Sequence, residues 1–258
     1  MTHRESFHKD PTIDEADVAK FDRLGADWWD PKGSMRALHK LNPVRVAYLR
    51  ERLCVHFSNE KEPRDWRSGT PLAGLRLIDI GCGAGLLCEP LARLGASITG
   101  IDPSSRNIEV ACHHAARGGL SINYRCITAQ AAAAGGEVFD AVLAMEVIEH
   151  VRDLREFLRH AAALVRPGGL VALATLNRTL KSFAFAIVGA EYILRWLPPG
   201  THNWRQFITP LELAAALRSK GLRIEHEAGL IYDPVSSAWR LSHDMDVNYM
   251  MIAGRAGK

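Results

Sequence analysis

The segment that constrains this chain most is a short apolar run, Leu75–Ile80, followed directly by Gly81, Gly83 and Gly85. A run of this length and character predicts a buried strand of a parallel sheet. Glycine after such a strand lets the backbone turn sharply and approach a ligand without a clash at Cβ. The N–H groups at the start of the next helix then point towards that ligand. The segment therefore predicts a ligand-binding turn at the carboxyl edge of a sheet.

The rest of the chain alternates between strand and helix patterns. Further strands are predicted over 97–101, 122–127, 138–145, 170–176, 222–227 and 248–253, and helices over 107–117, 154–165 and 210–220. Another helix is predicted to begin at Pro43, because proline favours the first helical position, and a turn is predicted at 166–169. The alternation predicts an α/β fold with a doubly wound, mainly parallel, seven-stranded sheet and helices on both faces.

The chain of 258 residues is long enough for one substantial core. We expect a single domain over residues 21–258, with its core over 75–176. An N-terminal helical extension precedes this core, and a helical insertion follows the fifth strand over about 178–208. Residues 1–20 are polar and are expected to form a flexible N-terminus.

Composition excludes several classes of protein. No dense stripe of Lys and Arg with interleaved aromatics accompanies the net charge of +3, so nucleic acid is not an expected partner. The five cysteines form no CxxC pair and no zinc-ligand spacing, which is typical of free thiols in a reducing compartment. The sequence begins without an apolar signal region, so we expect a cytoplasmic protein.

The glycine spacing distinguishes among nucleotide-binding turns. A dinucleotide fingerprint would place a glycine where this chain has Leu86, which disfavours a nicotinamide or flavin oxidoreductase. Asp102 ends the next predicted strand, where a carboxylate can accept hydrogen bonds from both ribose hydroxyls of a bound adenosine. The alternative is a tight strand-to-helix turn that holds no ligand.

Residues 75–176 resemble the class I methyltransferases through Asp79–Gly85, Gly100–Asp102 and Arg166–Gly169. The resemblance implies a Rossmann-like fold that binds S-adenosylmethionine (SAM), with the three glycines along its methionine part and Asp102 on its ribose. It also implies that Met145, at the end of the fourth strand, faces the adenosine or methionine moiety.

One departure from that pattern concerns the adenine. Many class I enzymes carry an acidic residue after the third strand, where it binds the adenine amino group. The segment 127–129 has no acidic residue here, so the backbone or Gln130 would have to bind the adenine.

Motifs outside this core give a narrower resemblance. They occur in order along the chain: Trp28–Asp30, Leu38–Arg45, Met145–Val151, Thr175–Arg178, Gly189–Leu194 and Asp246–Tyr249. Together they resemble the ubiquinone biosynthesis O-methyltransferases over about residues 18–251. The resemblance implies methylation of phenolic hydroxyls on polyprenylated catechol or quinol intermediates, at the 2-polyprenyl-6-hydroxyphenol and 3-demethylubiquinol steps. It also implies that Arg45 reaches the cofactor and that other enzymes of the ubiquinone pathway are partners.

Three ionisable residues follow the fourth predicted strand, where substrate and methyl donor should meet. If the segment turns helically, Glu146 lies on the same face as Glu149 and His150. A phenolic hydroxyl has a pKa near ~10, so a base or a metal must help to remove its proton. We expect His150 to be the general base, oriented by a carboxylate, although the sequence leaves open whether Glu149 takes the proton instead. The alternatives are that the three side chains bind a divalent cation, or that His150 bonds within a turn and both glutamates are solvated.

The insertion contains an apolar run, Phe183–Ala190, with Arg178, Lys181 and Arg195 around it. The run is too short to span a bilayer. This composition predicts either an amphipathic helix in the interface of an anionic membrane, at its inner face, or a lid packed over the substrate. The pair Trp28–Trp29 either covers the cofactor or belongs to the core, and the core is the expectation.

The function expected is SAM-dependent O-methylation of a small molecule. Two alternatives remain open at this point. One is methyl transfer to nitrogen or carbon of another small molecule. The other is a catalytically inert, membrane-associated scaffold that binds the cofactor weakly.

Overall fold

The computed structural model describes residues 10–23, 25–59, 63–184, 203–233 and 238–257. The helices are α1 (Glu15–Asp22), α2 (Arg36–Phe57), α3 (Cys88–Arg93), α4 (Ser105–Arg117), α5 (Ala129–Ala134), α6 (Leu154–Leu164), α7 (Leu180–Ser182) and α8 (Pro210–Arg218). The strands are β1 (Arg76–Ile80), β2 (Ser97–Ile101), β3 (Asn123–Arg125), β4 (Phe139–Met145), β5 (Val165–Leu176), β6 (Leu222–Asp233), β7 (Ala238–Ser242) and β8 (Asn248–Arg255). Short 3₁₀ segments occupy Gly25–Trp29, Ile148–His150 and Trp204–Gln206.

In the described ranges, eight strands form one sheet in the order β3-β2-β1-β4-β5-β8-β6-β7. Strands β1 to β5 pair in parallel, and β8, β6 and β7 extend the sheet from β5 with antiparallel pairing. The chain runs from β1 towards β2 and β3 and then returns to place β4 on the other side of β1. This reversal opens a crevice at the carboxyl ends of β1 and β4, where doubly wound sheets bind their ligands.

Successive strand residues face opposite sides of the sheet and enter two hydrophobic clusters. Leu77 belongs to the cluster formed with α2 and α3, whereas its neighbour Ile78 belongs to the cluster formed with α5, α6 and α8. Both side chains are fully buried. The predicted doubly wound α/β fold, with helices on both faces, is confirmed.

Local signals fix several helix ends. Thr209 and Glu212 form a capping box at the start of α8, with Pro210 at its first position. Helix α3 begins only at Cys88, so that Pro90 lies in its first turn, where a proline N–H is not needed.

The sheet has one strand more than the seven predicted. Strand β7 pairs with an extended β6, which continues to Asp233 instead of ending near Glu227. Conversely, the third strand is shorter than predicted and spans only Asn123–Arg125. Strand β7 was missed because its five residues are all exposed or half-buried, so they form no buried apolar run, and only Trp239 among them packs against the core.

Proline 43 does not start a helix, and this prediction is wrong. Helix α2 begins at Arg36 and carries Pro43 in its interior. Interior proline removes one backbone hydrogen bond and costs about 3 kcal/mol. Buried residues on both sides of Pro43, among them Leu41 and Tyr48, hold the helix on the sheet and offset this cost.

The predicted turn at 166–169 lies inside β5. Phe139 pairs with Val165, whereas Ala141 pairs with Leu170, so the intervening β5 residues bulge out of the ladder. Gly168 has φ of +71° in this bulge, which favours glycine. The glycine-dependent bend predicted here is therefore present, but strand β5 continues on both sides of it.

Part of the predicted N-terminal segment, from Asp10 onward, lies within the described residues. Residues 15–22 form α1, which Asp14 caps by accepting a hydrogen bond from the Ala16 N–H. The carbonyl of Thr12 accepts a hydrogen bond from the Arg152 N–H at 3.1 Å, and Thr12 is buried. Residues 1–9 lie outside the described residues.

Most of the predicted insertion, residues 185–202, also lies outside the described residues. At its start, Arg178 pairs with Glu212, and the Lys181 ammonium pairs with Asp244 and, at 3.2 Å, with Asp246. No helix within the described ranges combines the length and the apolar character needed to cross a bilayer.

Candidate active site

The turn after β1 is held against the end of β2. The N–H groups of Gly81 and Cys82 both donate to the Ile101 carbonyl, at 2.8 and 3.0 Å. Gly81 and Gly83 have φ of +72° and +52°, a region that favours glycine. A Cβ at Gly83 would lie 2.6 Å from the Trp28 ring, so both the backbone angle and the space require glycine.

Asp102 follows β2 and binds this turn. Its Oδ2 accepts the Gly83 N–H at 2.9 Å, and its Oδ1 accepts the Ser104 N–H at 2.9 Å. Asn107 donates its side-chain amide to the same Oδ1 at 3.3 Å. Burial raises the pKa of Asp102 to about 6, against the effect of these hydrogen bonds. A carboxylate has about four acceptor positions, so capacity remains for a ribose hydroxyl.

The third glycine has a different role from the first two. Gly85 lies beside the Tyr124 hydroxyl, has φ of +86°, and is not among the residues that line the cavity described below. It thus allows Tyr124 to pack on the turn. Of the residues expected near the adenine, the segment 127–129 after β3 lines the cavity, whereas Gln130 does not.

The two tryptophans are anchored to the same turn. Trp28 donates its indole N–H to the Asn107 side chain at 3.0 Å, and Trp29 donates to the Ala84 carbonyl at 3.0 Å. The Trp29 ring stacks on His114 with centroids 3.5 Å apart. Trp28 is buried, as expected of a core residue, and it also lines the cavity. The two roles considered for the tryptophans, a core residue and a wall of the ligand cavity, are therefore both filled by Trp28.

A buried ion pair lies opposite the turn. The Nη2 of Arg45 and the Oε1 of Glu146 are 2.8 Å apart, without the angles of a hydrogen bond. The Nε of Arg45 has no hydrogen-bond partner within the described part of the chain. Glu146 directly follows Met145 of β4 and has φ of +56°, the only such value at a non-glycine residue described. Strained backbone of this kind occurs preferentially at functional sites.

Glu149 and His150 take different partners. The Oε2 of Glu149 accepts the Thr175 hydroxyl at 2.8 Å, and burial, followed by the nearby Glu146 charge, raises the pKa of Glu149 to about 7. The Nδ1 of His150 lies 3.1 Å from Asp17 Oδ2 on α1. Burial by itself lowers the pKa of His150, but Asp17 and Glu149 outweigh it, so the pKa lies above its ordinary value.

A cavity of about 830 Å³ joins these groups. Its polar end is lined by Asp79, the turn at Gly81 and Gly83, Asp102, Asn107, Arg45, Met145, Glu146 and His150. Its other end is lined largely by apolar side chains from α2, β6 and β7: Leu38, Leu41, Leu230, Ile231, Tyr232 and Trp239. The volume is in the range of small-molecule sites.

The predicted site residues are therefore brought together, with two exceptions. Gly85 and Glu149 do not line the cavity, although Glu149 lies beneath it against Thr175. Sequence reasoning missed Asp17, which reaches the site from α1, and Asn107, which bonds Asp102 and Trp28. The only local signal for Asn107 was its position, one turn into the helix that follows β2.

Similarity to known proteins shows the family of this chain. A family model described as a methyltransferase domain matches residues 24–227. The ubiquinone biosynthesis O-methyltransferase of Methylocella silvestris is 60% identical over 244 residues, which cover 95% of each chain. That of Rhodopseudomonas palustris is 56% identical over 246 residues, again 95% of each chain. This chain belongs to the ubiquinone biosynthesis O-methyltransferase family.

Solved structures agree on the fold alone. A magnesium protoporphyrin IX methyltransferase from Synechocystis, solved with bound SAM, has a TM-score of 0.60 at 16% identity and covers 96% of this chain and 100% of its own. A SAM-dependent methyltransferase from Thermotoga maritima has a TM-score of 0.61 at 16% identity, with 93% and 99% covered. The class I methyltransferase fold that the motifs predict is thus confirmed.

The residues of the polar end fit SAM. The glycine turn presents backbone close to the cavity without Cβ atoms, and Asp102 follows β2, where a ribose would lie. The unpartnered Nε of Arg45 suits the methionine carboxylate, since a buried guanidinium N–H without an acceptor is unfavourable. These features suit the ribose and the methionine carboxylate of the cofactor.

A divalent cation fits less well. Among the described residues, no group of three or more His, Cys, Asp or Glu side chains is arranged to hold a metal ion. Glu146 faces Arg45, Glu149 faces Thr175, and His150 faces Asp17.

Binding of SAM should weaken as the pH falls from about 8 to about 5, because a protonated Asp102 loses acceptor capacity. Its pKa lies above the ordinary value, so protonation sets in near pH 6. Asp102→Asn should bind SAM about 10- to 100-fold more weakly, the range expected for hydrogen bonds to a charged group. Isothermal titration across this pH range checks both effects, with Glu109→Gln, an exposed change on α4, as control. An affinity that is independent of pH in the unsubstituted chain would contradict this role.

Proposed function

We propose that this chain transfers the methyl group of SAM to a phenolic hydroxyl of polyprenylated catechol and quinol intermediates, at the 2-polyprenyl-6-hydroxyphenol and 3-demethylubiquinol steps of ubiquinone biosynthesis. The observation that carries the proposal is the shared cavity, which joins a SAM cradle, an ionisable His150 and an apolar end. Membership of the family supports O-methylation over transfer to nitrogen or carbon. The inert scaffold is disfavoured because buried ionisable groups converge where the reaction would occur.

The protein contributes proton transfer and alignment to this reaction. When bound, SAM supplies a methyl group activated by a sulfonium. His150 accepts the phenolic proton, and the phenolate oxygen then forms the new bond to the methyl carbon as the bond to sulfur breaks. Arg45 and Asp102 fix the donor, and Trp28 excludes water from one side of the cavity. Glu149, with a pKa of about 7, lies near His150 and is the second candidate for the proton.

His150→Ala should lower kcat on a catechol analogue about 100-fold or more, as expected for loss of a general base, while the SAM affinity stays unchanged. Isothermal titration with SAM, and in parallel with NADH, measures cofactor choice first. Turnover assays with and without a chelator then follow, alongside Glu149→Gln. Unchanged turnover in His150→Ala would overturn the assignment of the base, and binding of NADH would overturn the proposed cofactor. Loss of activity in the presence of the chelator would instead support the alternative in which a divalent cation takes part.

The apolar end of the cavity is proposed to hold the start of the polyprenyl tail. Trp239 of β7 lines it and packs against the core cluster of α2, and its ring lies 5.6 Å from that of Tyr232. Leu41 and Leu230 also line this end and are buried. An apolar wall continuous with the reacting end suits an isoprenoid attached to the same ring.

Trp239→Ala should raise KM for a prenylated catechol about tenfold or more, because burial of one large apolar side chain contributes about 1.5–3 kcal/mol. KM for a catechol without a tail should stay unchanged. Leu241→Ala is the matched control, since Leu241 lies on the same strand and does not line the cavity. Steady-state kinetics with both substrates checks this. An equal rise in KM for both would show a general distortion of the site and refute the tail assignment.

A peripheral contact with an anionic membrane is proposed for the start of the insertion. Leu180 and Phe183 are 83% and 44% exposed there, which leaves apolar surface facing outward. Arg178 and Lys181 are engaged in ion pairs, so hydrophobic insertion is the favoured contribution from these described residues. The cytoplasmic location and contacts with other enzymes of the pathway stay predictions.

Flotation with vesicles tests this contact directly. The unaltered chain should float with vesicles that contain phosphatidylglycerol, and Leu180→Ser should reduce the bound fraction severalfold, because it removes an exposed apolar contact. Val55→Ser is the matched control, since Val55 is 60% exposed on α2, far along the chain from the insertion. Equal losses in both variants, or no binding by the unaltered chain, would contradict the proposal.

A further inference from the structure

Helix α1 lies over the reacting end of the cavity. The Asp17 carboxylate reaches His150 Nδ1 at 3.1 Å across 133 positions of sequence. The Phe21 ring, one turn later, meets the imidazole edge-on with centroids 5.3 Å apart and an interplanar angle of 88°. Both side chains come from a helix that has no buried residue of its own. The helix therefore meets the site through specific side chains and not through a general apolar face.

The helix is fixed at both ends. At its start, Asp14 pairs with Arg152 at 3.4 Å, two residues after His150. At its end, Asp22 accepts a hydrogen bond from the Ser104 hydroxyl, beside Asp102. These contacts hold Asp17 at a set position relative to His150. The same contacts connect α1 to both the cofactor end and the reacting end of the cavity.

The charge of Asp17 is well defined. The hydrogen bond from His150 lowers the pKa of Asp17 to about 2, against its partial burial, and Lys20 adds to the effect at 2.6 Å. The carboxylate is therefore ionised throughout the neutral range. Glu149 and Glu146, on the same segment as His150, also raise its pKa.

We infer that Asp17 is a positioning residue for His150, so that α1 completes the proton-transfer pair. This inference rests on the proposed function. A carboxylate on Nδ1–H fixes the tautomer whose lone pair lies on Nε2, which is the logic of His–Asp pairs in other enzymes. When the phenolic O–H bond breaks and its proton moves to Nε2, the imidazolium forms next to the Asp17 charge. The electron pair left on oxygen forms the bond to the methyl carbon, while the bond from that carbon to sulfur breaks and its electron pair stays on sulfur.

The test compares Asp17→Asn and Asp17→Glu with the matched control Glu15→Gln, which removes a carboxylate charge from an exposed residue of the same helix that does not line the cavity. Asp17→Asn should lower kcat on catechol about 10- to 100-fold, within the range of general base catalysis, with KM for SAM unchanged. Asp17→Glu should recover part of the loss. On a nitrocatechol, which is already largely ionised, the loss should shrink, because no base is needed.

Titration of the His150 ring by NMR gives a readout that does not depend on turnover. Its pKa should fall in Asp17→Asn and stay unchanged in Glu15→Gln, with His150→Ala used to assign the signal. An unchanged pKa would overturn the inference, as would equal losses on both catechols. If the unaltered chain turns over catechol and His150→Ala does not, while Asp17→Asn stays fully active, only the role of Asp17 fails. A chain inactive on every catechol would instead refute the proposed function.

Discussion

The site depends on the hydrogen bonds that join the turn after β1 to the end of β2. The Ile101 carbonyl accepts two backbone N–H groups from the turn, and Asp102 accepts the N–H of Gly83 at 2.9 Å. A buried carboxylate is unfavourable unless it is hydrogen-bonded, and those of Asp102 come from the turn and from the start of α4. The turn, β2 and α4 are therefore stable only together. Because Trp28 bonds Asn107, the N-terminal segment joins the same unit.

The sequence predicts those features that depend on residues close together in the chain, and it does not predict those that depend on contacts between distant residues. Strands β1, β2 and β4 read as short apolar runs, and the glycine turn and Asp102 are adjacent to two of them, so local pattern was sufficient. Helix α1 has a polar sequence without a buried residue, and its stabilising contacts are with His150, Arg152 and Ser104. A local sequence pattern does not indicate contacts with residues so distant in the chain. Asp17 was therefore invisible until the fold brought it to the site.

Pro43 shows the opposite error, in which tertiary contacts outweigh a strong local signal for the start of a helix. Proline favours the first turn of a helix, yet α2 begins seven residues earlier at Arg36. The turn that precedes Pro43 contributes Leu41 to the core, and Asn42 donates to the Leu86 carbonyl at 2.7 Å. These contacts stabilise a helical turn that the proline alone would end. They also align Arg45, two residues later, with the cavity.

The acidic groups around His150 differ in their ionisation because their surroundings differ. Asp17 is bonded by His150 and Lys20 and has a pKa of about 2, whereas Glu149 is fully enclosed beside another carboxylate and has a pKa of about 7. Pairs of titratable groups whose environments separate their pKa values commonly divide the acid and base roles of a site. The left-handed backbone of Glu146 turns its carboxylate to Arg45, which leaves Asp17 as the ionised partner of the ring. A permanently charged Asp17 raises the proton affinity of His150, and the neighbouring Glu149 carboxyl adds to this effect.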